Sequence, residues 1–193
     1  MDLRQTLFKY RSYTPIPFLI VLLSLAQPTI ISFAAGFCFV LLGEFFRLWG
    51  VSYAGSETRT TGPVGASMLI TSGPFSYVRN PLYLGNLLMY TGFGVMANLP
   101  ALALAGFLYF FLQYTLIVSL EEEQLTKKFL DEYARYFVAV PRFIPVFKKY
   151  KGATDPQPKI DWKKGLISER RTLQATFLVI LLIVTIWIVR GQQ

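Results

Sequence analysis

Long apolar runs separated by short polar breaks dominate the hydrophobicity pattern of the chain. The runs lie at about 13–26, 29–46, 81–97, 100–119 and 172–189. A helix needs roughly 20 mainly apolar residues to cross a bilayer. The pattern therefore predicts an all-α, polytopic membrane protein with about five transmembrane helices. The breaks at 27–28 and 98–100 are so short that they predict tight turns between neighbouring helices.

We predict that the first two runs form a tight hairpin rather than one helix kinked at Pro28. With a hairpin, 18 of the 19 basic residues lie on one side of the membrane and only Arg190 lies on the other. A kinked helix divides the same residues 15 to 4. Because cytoplasmic loops concentrate Lys and Arg, the hairpin predicts a cytoplasmic N-terminus, an external C-terminus and a cytoplasmic active site.

Three polar stretches connect or follow the runs on the predicted cytoplasmic side. Residues 47–80 hold five glycines and two prolines, which favours loops over one long helix. Residues 120–150 open with apolar side chains every three to four positions, the pattern of an amphipathic helix at the membrane surface. Residues 151–171 are basic and contain two prolines, which predicts a surface linker.

These segments predict a single membrane core followed by a C-terminal extension. The core takes residues 1–150, with cytoplasmic site segments at 50–80 and 120–147. The extension takes residues 151–193 and consists of the basic linker and the last span.

The composition agrees with a membrane protein and excludes several kinds of site. Charged residues make up 16% of the chain and apolar residues 53%, whereas about a quarter of a soluble domain is charged. The sequence has no histidine and one cysteine, Cys38, which removes imidazole chemistry, disulfides and cysteine zinc sites. We therefore expect no metal. The basic run at 148–171 has few aromatic residues, which favours anionic lipid head groups over nucleic acid as its partner.

The sequence GPFSYVRNPLYLGN at 73–86 places Arg79 at the cytoplasmic mouth of the third run. Pro81 suits the first turn of a helix, and Asn80 before it suits the N-cap. A helix N-terminus beside an arginine can hold a carboxylate or a phosphate, and Gly85 allows another backbone or a ligand to come close. An interfacial belt of Arg and Tyr is the alternative interpretation.

Three consecutive glutamates, Glu121 to Glu123, directly follow the fourth run. They either suit the first turn of the amphipathic helix, where negative charge is favoured, or bind a cationic or hydroxyl-bearing ligand. Because the third and fourth runs are joined by a short turn, their cytoplasmic ends should be neighbours. Arginine and acidic residues would then meet in one site suited to a zwitterion.

Tyr133 and Tyr136 share one helix face, and Arg142 follows the break at Pro141. The tyrosine faces could hold a sulfonium or ammonium group, and Arg142 could pair with a carboxylate or a phosphate. Belt aromatics and a snorkelling arginine are the alternative. For Glu44, near the end of the second run, a boundary position that meets water is favoured over a functional role.

The chain resembles the isoprenylcysteine carboxyl methyltransferase and phospholipid methyltransferase family of integral membrane enzymes. The resemblance rests on GPFSYVRNPLYLGN at 73–86, EEEQL at 121–125 and EYARYFVAVPRFIP at 132–145. The family pattern is Arg-His-Pro-x-Tyr-x-Gly, then Glu-Glu after the next span, then a Tyr-rich helix with an Arg…Pro turn. The resemblance covers roughly residues 30–147 and has one departure, because Asn80 stands where the family has His.

The resemblance implies S-adenosylmethionine as the methyl donor and a lipid-borne acceptor, and it assigns roles to residues by position. The cofactor site would include Leu69, Ile70, Thr71, Gly73, Tyr77, Arg79, Asn80, Pro81, Tyr83, Gly85, Glu121 and Glu122. The residues facing the acceptor would be Tyr133, Tyr136 and Arg142. The catalytic residues would be Glu122, Arg79 and Arg142. Leu69 to Thr71 would form a strand-like lead-in.

The function predicted from the resemblance is methyl transfer to a carboxylate or amine head group of a membrane-embedded lipid or isoprenoid-linked acceptor. A membrane sterol reductase that uses NADPH is one alternative, since it carries a similar Arg-His-Pro-x-Tyr-x-Gly signature. The acidic residues at 121–123 disfavour it, because a reductase would prefer basic contacts to the 2′-phosphate. A non-enzymatic scaffold or small transporter is the other alternative.

Overall fold

The computed structural model describes residues 2–55 and 68–190 of the chain. Within these ranges it contains α-helices and one 3₁₀ helix and no β-strand, so the all-α prediction is confirmed. The helices are α1 Leu3–Tyr10, α2 Pro15–Leu25, α3 Ile30–Ala54, α4 Pro81–Met96, α5 Pro100–Ala139 and α6 Trp162–Arg190. The 3₁₀ helix is Gly73–Ser76. Part of the predicted site segment 50–80, including Arg59, Gly62, Pro63 and Gly65, lies outside the described residues.

Three of the described helices, α3, α5 and α6, are long and apolar enough to cross a membrane. Helices α2 and α4 have 11 and 16 residues, fewer than the roughly 20 that a bilayer requires. The number of five spans therefore stays a prediction. The predicted chain reversal at 27–28 is present. The chain runs along α2 from Phe18 beside Tyr90 to Gln27, whose N–H donates to the Ala97 carbonyl at the end of α4. Helix α3 then runs back along α4, with Gly36 beside Gly92 and Gly43 beside Gly85.

Helices α3 and α4 pack antiparallel along a seam of glycines. Gly36 and Gly43 of α3 face Gly92 and Gly85 of α4. A Cβ on Gly85 would lie 2.6 Å from the carbonyl oxygen of Gly43, so this contact requires glycine. Of the two partners expected for Gly85, a backbone or a ligand, the structure shows the backbone.

A hydrophobic core joins α2, α3, α4 and α6 at the end of the molecule away from Arg79. Its fully buried members include Leu22, Met96 and Ile183. The Arg190 guanidinium donates to the carbonyls of Ser24 and Ala26 at the end of α2. These contacts fix the C-terminal end of α6 beside the turn between α2 and α3.

Several predicted boundaries are wrong because packing overrides local breakers. Helix α3 continues through Gly50 to Ala54 instead of ending at 46, because Gly50 packs against Leu82 of α4 and a glycine costs a helix only about 1 kcal/mol. Helix α6 begins at Trp162 inside the predicted linker. The Lys164 N–H donates to the Asp161 side chain there, which lowers the pKa of that carboxyl.

The predicted fourth span and amphipathic helix are one element, α5, of 40 residues. The chain has no glycine or proline between Gly106 and Pro141, so nothing in the sequence ends the helix at the glutamates. The helical path is interrupted only at Leu130, which has φ 42° and ψ −120°. The predicted strand-like lead-in at Leu69 to Thr71 is also wrong, because these residues form no strand.

Candidate functional site

The short turn after α4 sets α4 and α5 side by side in opposite directions. Beside the turn, Gly94 packs against the backbone of Ala103. At the other end of the pair, the rings of Tyr83 and Tyr114 lie 4.9 Å apart. The chain segments that begin α4 and that follow residue 119 in α5 are therefore neighbours, as the sequence predicts.

Two contacts join these segments directly. Nη2 of Arg79 lies 3.0 Å from Oε1 of Glu122. The Tyr83 hydroxyl donates to Oε1 of Glu121 at 2.8 Å. The predicted meeting of the arginine and the acidic residues is confirmed, and each acid has a different partner.

Glu122 is a buried carboxylate held by two arginines. Its Oε1 accepts from Nε of Arg79 at 3.1 Å and from Nε of Arg142 at 3.2 Å. Its Oε2 accepts from Nη2 of Arg142. The side chains of Glu122 and Arg79 are each 8% exposed and that of Arg142 is 31% exposed. A buried carboxylate needs such partners, because desolvation of an unpaired charge costs several kcal/mol.

Arg79 also binds the end of α5. Its Nη1 donates to the carbonyls of Phe137 and Val140, each at 2.5 Å, and its guanidinium lies 4.1 Å from the centre of the Phe137 ring. These carbonyls belong to the last turn of α5, where orphan acceptors need donors. The protein itself therefore engages the guanidinium that the sequence predicted as an anion site.

The interpretation of the three glutamates as first-turn residues is wrong. Glu121 to Glu123 lie in the interior of α5, more than 20 residues after its start at Pro100. The helix macrodipole falls off within the first turn and does not stabilise them. Their partners are side chains, so the cluster is explained by tertiary contacts.

Asn80 occupies the N-cap position of α4, but its side chain makes no capping hydrogen bond. Its Nδ2 donates instead to the Arg142 carbonyl at 3.3 Å. The predicted capping role is therefore wrong. The amide links the start of α4 to the segment that follows α5.

A cavity of about 970 Å³ lies beside Arg79 and Glu122, between α1, α3, α4, α5 and α6. The predicted site residues that line it are Leu69, Ile70, Arg79, Asn80, Pro81, Tyr83, Glu121, Glu122, Tyr133 and Tyr136. Ligand cavities usually measure about 300–1,000 Å³. The predicted residues therefore surround a space large enough for a nucleoside.

Tyr133 and Tyr136 form a buried aromatic wall of this cavity. They are 1% and 3% exposed, and their rings lie 6.1 Å apart. The Tyr136 hydroxyl donates to the Phe75 carbonyl at 2.7 Å, which holds its ring in place. The amphipathic pattern thus buries both tyrosines, whereas Lys127 and Lys128 of the same helix are exposed.

Five predicted site residues lie outside the described lining, namely Thr71, Gly73, Tyr77, Gly85 and Arg142. The Thr71 N–H donates to Oε1 of Gln157 at 2.7 Å, and the Tyr77 carbonyl accepts from the Val146 N–H at 2.9 Å. These bonds join the segment before α4 to the segment after α5. Gly73 adopts φ 59°, the left-handed region that favours glycine. Thr71 and Tyr77 therefore hold together the segments that carry lining residues, without lining the cavity themselves.

Comparison with known proteins identifies the family. The pattern of the family described as "Phospholipid methyltransferase" matches residues 31–132, more than half of the chain. The chain belongs to the phospholipid methyltransferase family. The match contains Arg79, Tyr83, Glu121 and Glu122 but ends before Tyr133 and before the whole of α6.

Two curated relatives are about one-third identical to this phospholipid methyltransferase family member over the aligned residues. The cobalt-zinc-cadmium resistance protein CzcN of Cupriavidus metallidurans is 34% identical over 113 residues, which cover 58% of this chain and 49% of the relative. The nickel-cobalt-cadmium resistance protein NccN of Alcaligenes xylosoxydans xylosoxydans is 32% identical over 108 residues, which cover 55% and 46%. The chain spans about half the length of these relatives. No solved structure matches it.

Sequence reasoning missed a second polar cluster, which joins the matched phospholipid methyltransferase region to α6. Nε and Nη2 of Arg47 donate to Oε1 of Glu169 at 2.9 and 2.5 Å. Arg47 also donates to Asn86 at 2.6 Å and to Thr172 at 3.2 Å. Arg47, Asn86 and Thr172 line the cavity. A charged residue in a membrane helix is the signal that points to such a cluster. In the sequence, Arg47 was counted only among the basic residues that set the topology.

The N-terminal helix was missed as well. Phe8, Arg11 and Ser12 contribute to the lining, and Arg4 of α1 lies 3.2 Å from Glu123 of α5. Glu44 was expected to meet water but is buried at 9% exposure, because α3 continues beyond it. The error at Glu44 follows from the misplaced end of α3.

Proposed function

We propose that the chain transfers a methyl group from S-adenosylmethionine to a membrane-embedded lipid or isoprenoid-linked acceptor with a carboxylate or amine head group. The proposal places this reaction at the cytoplasmic face. One observation carries it, the cavity of about 970 Å³ that brings Tyr83 and Glu121 together inside the family region. Members of this family typically use S-adenosylmethionine.

The residues around the cavity fit such a donor. Tyr133 and Tyr136 offer buried aromatic surface for the adenine base, and Leu69 and Ile70 add apolar surface. Glu121 supplies carboxylate oxygens for ribose hydroxyls or for the amino group. Tyrosine faces attract a sulfonium by cation–π interaction, worth about 0.5–2 kcal/mol. The donor set is therefore suited to a cationic nucleoside.

S-adenosylmethionine supplies an already activated methyl group, so the protein needs mainly to align the two partners and exclude water. An amine acceptor must also lose a proton. Glu121 suits this role better than Glu122, because donors of Arg79 and Arg142 occupy both oxygens of Glu122. We propose that Glu122, Arg79 and Arg142 hold the cavity in shape rather than touch the reacting atoms.

The test is transfer of methyl-labelled S-adenosylmethionine by the purified full chain to a total lipid extract. We expect label in a lipid fraction, at least tenfold less label with Glu121→Gln, and no change with Glu123→Gln. Glu123 is the matched control, because it belongs to the same helix and pairs with Arg4 and Lys127 but does not itself line the cavity. Label that never appears in lipid would overturn the proposal.

The alternatives predict different ligands. A reductase requires NADPH to raise the thermal midpoint of the protein while S-adenosylmethionine leaves it unchanged, and a scaffold requires neither to do so. The two curated relatives are named as metal resistance proteins. In the part of the chain that the structure describes, no group of three or more His, Cys, Asp or Glu could hold a metal ion. We therefore propose that any contribution to metal resistance acts through a methylated membrane product.

A further inference from the structure

The Arg47 cluster fixes one side chain of the cavity in a defined orientation. Arg47 has only donors, so the Asn86 atom that it contacts at 2.6 Å is the carbonyl oxygen Oδ1. The Asn86 NH₂ group then points away from Arg47. Asn86 lines the cavity and also hydrogen-bonds with Tyr114, so its NH₂ group can serve both the Tyr114 oxygen and an oxygen of a bound molecule.

Glu169 fixes the position of the Arg47 guanidinium. It is fully buried on α6 and accepts two hydrogen bonds from Arg47. It neutralises most of the charge of Arg47, so Arg47 acts as a positioning residue for Asn86. Thr172, one turn further along α6, accepts from the same guanidinium at 3.2 Å.

The charges of the lining favour an acidic ligand. Among the described residues, the basic members are Arg11, Arg47, Arg79, Lys127, Lys128 and Arg171. The acidic members are Glu121 and Glu122. The charges of Arg47, Arg79 and Lys127 are offset by Glu169, Glu122 and Glu123. Arg171 is exposed at the edge of the cavity, directly before Thr172.

We infer that Asn86 of α4 and Arg171 of α6 form a subsite for an acidic group, a phosphate or a carboxylate, of an amphiphile bound in the cavity. The inference rests on the proposed function only in identifying this amphiphile with the methyl acceptor. It makes α6, which lies outside the family match, part of the binding site. Charge-assisted hydrogen bonds to such a group are stronger than neutral ones.

The test measures binding to the purified full chain in a neutral detergent, without S-adenosylmethionine. The probes are dodecyl phosphate and dodecanoate, with 1-dodecanol as the uncharged control of equal chain length. We expect one or both acids to raise the thermal midpoint of the protein and 1-dodecanol to leave it unchanged. The acid that binds more tightly distinguishes a phosphate from a carboxylate source.

Arg171→Gln should weaken binding of the acid roughly tenfold, the size of effect that loss of one charged hydrogen bond produces. Arg170→Gln is the matched control, because Arg170 is the adjacent exposed arginine and lies outside this cavity. Asn86→Asp keeps an oxygen facing Arg47 but adds negative charge, so it should weaken binding by more than tenfold.

Equal effects of the two arginine substitutions, or equal binding of 1-dodecanol, would overturn the inference. Because Arg171 is exposed, the Arg171→Gln protein should fold. Its binding therefore decides the test even where Asn86→Asp fails to fold. Methyl transfer does not enter this measurement. A failed transfer assay therefore refutes the proposed function and leaves the subsite standing, whereas lost acid selectivity refutes the subsite alone.

Discussion

Three consecutive glutamates of α5 occupy three different environments. Glu121 accepts from the Tyr83 hydroxyl inside the cavity, Glu122 is buried between two arginines, and Glu123 is 41% exposed. Successive residues of a helix point about 100° apart, so identical side chains meet a ligand space, a protein interior and solvent. The composition of the motif does not reveal which glutamate takes which role.

Loss of the Glu122 carboxylate should destabilise the protein. Glu122→Gln should lower the free energy of unfolding by about 3 kcal/mol, because it leaves two arginine charges without their shared partner. Equilibrium unfolding in mixed dodecyl maltoside and SDS micelles measures this. Glu123→Gln removes only exposed pairs and should leave stability unchanged. A Glu122→Gln protein as stable as the wild type would show that the buried cluster is not a stabilising contact.

At the scale of single elements, the interruption of α5 at Leu130 makes a prediction of unusual sign. Leu130 has φ 42° and is 67% exposed, so its side chain contributes little packing while its backbone is strained. Leu130→Gly should raise the free energy of unfolding by roughly 1 kcal/mol.

Ala134→Gly, at an exposed helical position of the same element, should lower the free energy of unfolding by about 1 kcal/mol. Thermal denaturation of both variants in detergent measures the two effects. If both glycines destabilise α5 equally, the helix is regular at Leu130.

The glycine seam between α3 and α4 gives a second test at this scale. Gly36→Leu should destabilise the protein by roughly 1–3 kcal/mol or more, because its Cβ would overlap the backbone of Met96 and Gly92. Ala35→Leu is the matched control, since Ala35 is the adjacent exposed residue of α3. Unfolding in SDS-containing micelles should separate the two variants. Equal stability would place the seam elsewhere on α3.

The elements could be predicted from the sequence where a proline marks a boundary. Pro81 and Pro100 begin α4 and α5 as the pattern indicates. Where the boundary depends on a partner, prediction fails, because Gly50 is tolerated only through its contact with Leu82. Hydropathy also fixes no start for α6, because five of its first ten residues are charged and yet helical.

At the scale of the whole molecule, the two ends differ in charge. At one end, Arg190 lies beside the end of α2. At the other end, which contains the site, the basic start of α6 lies beside Ser52. The positive-inside rule therefore predicts that the site faces the cytoplasm.

Single cysteines in a Cys38→Ser background test this topology. An impermeant maleimide should label Asn98→Cys in intact cells, and should label Thr154→Cys only after permeabilisation. Both positions are exposed. The reverse pattern would place the site outside.

Half of the cavity could be predicted from the sequence and half could not. Arg79 lies just before α4 and Glu122 lies in α5. Because a short turn joins these two helices, the meeting of Arg79 and Glu122 follows from chain connectivity. Arg47 and Glu169 are 122 residues apart, and no local pattern connects them. Their pairing follows from the packing of α6 against α3, which depends on the whole fold.

The bond between Arg47 and Glu169 has a consequence for biosynthesis. At about 5–20 residues per second, the ribosome produces residue 169 roughly 6 to 24 s after residue 47. During that interval α3 carries a cation whose final counter-ion has not yet been made. We therefore expect the Arg47 end of α3 to stay in contact with water, at the membrane surface or inside the translocation channel, until α6 has been made.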